Sequence, residues 1–173
     1  ALSPSADEGR LWLADLLLDE PETVPRGRTL LEEVAARPSA APDLQADALL
    51  HLARLDQAAS NYTAAARQVA AAAARAQSPA LVLAVRLQQA RLAREEGRLA
   101  EATALAEKTL KEFAGQAGAG EALLLLADLR YEAREFAPAL DAYQKVVEGA
   151  SQSGLVARAL AGKGWCLWSL QRV

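Results

Sequence analysis

Apolar residues in this chain fall into blocks of helical length separated by short polar, Gly or Pro punctuation. Nowhere do Val, Ile, Thr and aromatic residues alternate with polar ones between turn signals, as a half-buried strand requires. The blocks predict helices over 7–19, 26–37, 43–58, 62–76, 80–96, 98–113, 120–134, 136–149 and 154–171, and no sheet. Local signals fit these limits. Ser78 and Pro79 form a cap and first-turn pair, Gly97 can take the left-handed conformation that closes a helix, and Asn61 can cap the helix that follows it. The stretches 37–42, 115–120 and 149–154, rich in Gly, Ser, Pro or Ala, read as connectors.

The pattern also repeats. Tyr62, Leu99, Phe136 and Val173 stand 37 residues apart, each a bulky residue after a polar position or a Gly. Small residues keep the same step: Ala65, Ala102 and Ala139 in one register, and Ala53, Ala90, Ala127 and Gly164 in another. Each period then holds two helices joined by a short turn, with small residues opposed because close helix axes leave room only for Ala or Gly. The bulky residue plugs the turn.

Composition narrows the function. Hydrophobic residues make up 52% of the 173, enough for a sizeable core, and they are mostly Ala and Leu, with aromatics at 5%. A net charge of −3 removes the basic footprint that nucleic acid binding relies on, so nucleic acid is not an expected partner. Cys166 is the one cysteine, with no second thiol or histidine at metal-ligand spacing. No apolar run approaches the roughly 18 residues of a membrane span. Methionine is absent, even at position 1, which suggests a processed or excised chain, with 1–6 as a linker.

These residues resemble the tetratricopeptide repeat, whose signature runs W-x2-L-G-x2-Y, then A-x3-F, then P. Ala139-x3-Tyr143 matches the second element, and Leu123-x2-Leu126-Ala127 the first. Gly164-Trp165-Cys166-Leu167-Trp168 is similar to the start of another repeat, and Ala102-x3-Ala106 and Ala65-x3-Val69 are looser copies. The resemblance covers 43–173 and implies an all-α, right-handed α-solenoid of antiparallel helix-turn-helix hairpins, about four and a half in number, in a single domain over 7–173. Its repeats would be 43–76, 80–113 and 120–149, with 154–173 the first helix of an incomplete one. The segment 7–37 fits poorly, because Arg28 and Leu16 take the positions of Ala65 and Ala53, and reads as a degenerate first hairpin.

In such a solenoid the first helices line a concave groove. The resemblance places Arg54, Arg91, Asp128 and Trp165 in it, followed one turn later by Gln57, Arg94, Tyr131 and Trp168. The same arginines could instead solvate a helix face through local ion pairs. The lysine and asparagine clamp of co-chaperone members is missing, since Leu50, Leu87 and Leu124 and then Arg54, Arg91 and Asp128 stand at those positions. The last helix would lack its partner, leaving Trp165, Leu167, Trp168 and Leu170 to self-associate or meet another protein, with Trp168 as anchor.

Catalytic chemistry has little to work with. His51 is the lone histidine and reads as structural, Cys166 as a packed apolar residue, and Glu32–Glu33 and Glu95–Glu96 as solvated helix ends. No phosphate-binding glycine loop occurs. The expectation is a protein-interaction scaffold without cofactor or metal, binding a peptide or helical segment. The alternative is an assembly or regulatory module that packs on its own copies or on an effector domain. Composition and repeat style suggest a bacterial chain, of the cell envelope or periplasm or else of the cytoplasm.

Overall fold

A computed structural model describes residues 4–116 and 118–170. Among them the chain forms nine α-helices and no strand: α1 (Pro4–Leu18), α2 (Val24–Ala36), α3 (Pro42–Ala58), α4 (Tyr62–Ala73), α5 (Pro79–Glu95), α6 (Leu99–Glu112), α7 (Ala119–Glu132), α8 (Phe136–Gly149) and α9 (Ser153–Leu170). The sequence expectation of an all-helical chain holds, with most ends within two residues. One boundary needs correcting: Pro4–Ala6 belong to α1 and not to a linker. Proline's fixed φ suits the first turn of a helix, where its missing N–H costs nothing.

The turns that close α3, α5 and α7 follow one plan. Ser60, Gly97 and Arg134 all have positive φ (58°, 76° and 62°) and stand 37 residues apart. The next N–H in each case, from Asn61, Arg98 and Glu135, donates to the carbonyl five residues back at 2.8–2.9 Å. The left-handed residue itself donates to the carbonyl three residues back at 2.9–3.0 Å. This pair of bonds is the Schellman termination, which satisfies carbonyls the helix end would leave orphaned. Tyr62, Leu99 and Phe136 then open α4, α6 and α8, and Ala65, Ala102 and Ala139 are fully buried one turn on. Asn61 caps α4 by accepting from the Ala64 N–H at 3.4 Å. Val173 lies outside the described residues.

Where the sequence reads as one domain over 7–173, contacts gather the chain into two compact units, Ala1–Gln88 and Gln89–Val173, with the border inside α5. In the first, α1 packs on α2, α2 on α3 and α3 on α4. Leu11, Ala14, Leu31, Val34, Ala48 and Leu52 form a core there. In the second, α6 packs on α7, α7 on α8 and α8 on α9, and α7 also meets α9. Leu124, Ala127, Ala139, Tyr143, Val146, Ala159 and Cys166 belong to its core. Sequence neighbours being spatial neighbours is the packing rule of a helical solenoid.

The poorly fitting first hairpin solves its packing with other residues. Leu16 faces solvent, and the close approach of α1 and α2 is made by Ala14 and Gly27. A Cβ on Gly27 would sit 2.9 Å from Leu18 Cδ2 and 3.2 Å from the Ala14 carbonyl oxygen. Arg28, in the register position of Ala65, reaches out instead and binds the buried Asp56 at 2.7 Å, with Gln68 on the other carboxylate oxygen at 2.8 Å.

Candidate functional site

Six of the eight residues assigned to the groove lie in the second unit, on the end of α5, on α7 and on α9. Their side chains do not stand as an open row of charges. Arg94 binds Glu132, which holds its guanidinium pKa above the ordinary value, and Arg91 lies 3.7 Å from Glu121. Asp128 accepts from the Tyr143 hydroxyl at 2.7 Å and from Arg158 at 3.3 Å. These are cross-helix pairs, α5 to α7, α8 to α7 and α9 to α7. In the first unit Gln57 accepts a hydrogen bond from the buried Gln88, tying α3 to α5, and Arg54 is exposed on α3.

Tyr143 explains why Asp128 is spoken for. Its ring is buried between α7 and α9, and burial, reinforced by the bond to Asp128, drives its hydroxyl pKa far above the ordinary value. A tyrosine placed so deep needs a partner for its O–H, and Asp128 supplies it. The ring fits because α9 carries Gly162 opposite, where any Cβ would collide with it. The sequence reading missed Gly162, because the repeat register marks Gly164 as the small residue of α9. Gly164 has open space around it.

Two of the expected residues, Tyr131 and Trp168, do come together. They line a cavity of about 410 Å3 along with Glu132, Arg134, Phe136 and Ser169. Tyr131 and Trp168 stand 37 residues apart, as do Glu132 and Ser169, so the cavity is the gap between equivalent positions of α7 and α9. Three of the six lining residues are aromatic and three polar or charged, and the rings of Tyr131 and Phe136 are 5.5 Å apart and tilted. Trp165 lies outside it and packs edge-on against Trp168 at 6.0 Å.

The first unit repeats this arrangement with different chemistry. A cavity of about 340 Å3 is lined by Asp43, Leu44 and Asp47 of α3 and by Ala80, Leu81 and Ala84 of α5, with Ser78 at the edge. The α3 and α5 residues again pair at a separation of 37. Asp43 also accepts from the backbone N–H groups of Gln77 (2.6 Å) and Ser78 (3.2 Å), and the Gln77 bond above all lowers its carboxyl pKa. Leu50, Leu87 and Leu124, at the positions of the missing clamp, are buried core.

His51 is held between two carboxylates, Nδ1 at 2.9 Å from Asp15 and Nε2 at 3.6 Å from Asp47. Cys166 is fully buried, and burial raises its thiol pKa. Among the described residues, no group of three or more His, Cys, Asp or Glu is placed to hold a metal ion, and no helix is long and apolar enough to cross a membrane. Against known protein families, characterised proteins and solved structures, the chain gives no match.

Proposed function

We propose that this chain is a non-enzymatic binding scaffold, a right-handed array of tetratricopeptide-like hairpins whose first helices receive an extended or helical segment of another protein. The observation that carries the reading is the cavity between α7 and α9, where Tyr131, Phe136 and Trp168 offer aromatic surface beside the Arg94–Glu132 pair. Apolar walls with a few placed polar groups are what a site for one bulky side chain of a peptide looks like. Small closing turns at Ser60, Gly97 and Arg134, one per period, further support a repeat array. A bacterial, envelope-associated setting remains part of the same reading and rests on the Ala/Arg/Leu-rich composition.

The test is a selection of binding peptides from a displayed random library, followed by titration of a selected peptide into wild type and variants. Peptides should converge on a bulky apolar residue. Their affinity should fall at least tenfold with Tyr131→Ala and stay unchanged with Lys145→Ala, on the second helix α8. Selected peptides indifferent to Tyr131→Ala, or a library that yields none, would overturn the reading. An assembly role is favoured by a separate observation, the exposed aromatic faces of α1 and α9.

A further inference from the structure

The polar groups around the cavity between α7 and α9 are unevenly used. Its lining holds one carboxylate, Glu132, and the Arg94 guanidinium already binds it. The guanidinium of Arg134 and the hydroxyls of Tyr131 and Ser169 make no hydrogen bond or ion pair among the described residues. Arg134 is exposed, yet its backbone is fixed. It closes α7 at φ 62°, its own N–H donates to the Tyr131 carbonyl at 3.0 Å, and the next N–H donates to the Arg130 carbonyl at 2.9 Å.

This inventory sets the sign of the guest. A cavity with three aromatic rings ordinarily suits a cation, which the ring faces attract. Here the charge left without a partner is itself a cation, and the carboxylate that could hold a second one is neutralised by Arg94. The lining therefore offers donors in want of an acceptor. A carboxylate meets that need, because it takes two parallel N–H bonds from a guanidinium and accepts from hydroxyls as well.

We infer that the segment received by this cavity is acidic, with a bulky apolar side chain among the rings of Tyr131, Phe136 and Trp168 and a nearby Asp or Glu side chain on Arg134. The inference rests on the peptide reading proposed above. That reading calls for an internal segment of another protein, so the anion is a side chain and not a chain terminus. In an extended segment, residues two apart share a face and stand about 7 Å from each other, so the acid belongs two positions from the bulky residue. An exposed guanidinium adds little affinity and chiefly selects the partner. Arg94 is a positioning residue here, because without it Glu132 would repel the acid.

Peptides selected from the displayed library supply the probe. Most should carry Asp or Glu two positions from the bulky apolar residue. At low salt, a selected peptide should bind wild type about fivefold more tightly than an analogue with Asn or Gln in place of the acid. That advantage should vanish in Arg134→Gln and in Arg134→Gly, the second of which suits the left-handed turn, and should survive in part in Arg134→Lys. Arg94→Gln should weaken the acidic peptide more than its neutral analogue, and amidating the peptide's carboxyl terminus should change nothing. Peptides that need Tyr131 but show no acid preference or carry a basic residue instead would overturn the inference and leave the peptide reading standing. So would an acid whose replacement costs as much in Arg134→Gln as in wild type, equal losses for both peptides in Arg94→Gln, or affinity lost on amidation. Peptides indifferent to Tyr131→Ala, or a library that yields none, would overturn both.

Discussion

Gly162 and Gly164 sit two residues apart in α9 and do opposite work. Gly162 accommodates the Tyr143 ring, which is pinned by its bond to Asp128, so Gly162→Ala must displace a buried aromatic. Overpacking of that kind costs about 1–3 kcal/mol, read as a lower denaturation midpoint. Gly164→Ala adds a methyl group to open space and removes backbone freedom from the unfolded chain, and should stabilise by roughly 0.5–1 kcal/mol at concentrations where the chain is monomeric. Cys166, fully buried one helical turn beyond Gly162, should resist alkylation in the native protein and react readily in denaturant, as mass spectrometry would show. Rapid native labelling would mean that α9 is not docked. Sequence spacing could identify Ala65, Ala102 and Ala139 as packing positions, but not Gly162. That role depends on where one tyrosine ring points, and the ring belongs to another helix.

At the scale of elements, the three Schellman turns make the period physical. The left-handed position is Gly only at 97, and Ser60 and Arg134 adopt the same φ at a cost that an L side chain incurs in this region. Gly97→Ala should therefore destabilise by roughly 1–2 kcal/mol, whereas Arg134→Gly should be neutral or mildly stabilising in thermal melts. The sequence showed Gly97 as a helix end and could not show the other two, because neither Ser nor Arg favours positive φ and only the 37-residue register points to them. Asp43 joins α3 to the start of α5 through the Gln77 and Ser78 amides, which lower its pKa. A lowered carboxylate pKa contributes stability that is complete above the ordinary value of 3.8 and fades as pH falls through the folded value. Asp43→Asn should thus be less stable than wild type at neutral pH, with the gap closing in acid. A gap independent of pH would assign the loss to something other than the carboxylate.

For the whole molecule, the helical class and nearly all the elements were legible because Ala- and Leu-rich blocks with a fixed period leave few alternatives. The site was legible only in part. Tyr131 and Trp168 were found by register, yet Phe136 and Glu132, which line the same cavity, were assigned to a turn plug and to nothing. Arg91, Arg94 and Asp128 were expected either to line a groove or, for the arginines, to pair along a helix face, and each has an ionic partner on a neighbouring helix, which residue spacing within one helix could not show. The proposed binding role rests on the cavity between equivalent positions of α7 and α9. Backbone amide shifts of the isotope-labelled protein, followed during titration with a library-selected peptide, test it most directly. The account predicts perturbations centred on Tyr131, Glu132, Arg134, Phe136, Trp168 and Ser169. Perturbations centred instead on the second helices α4, α6 and α8 would contradict it.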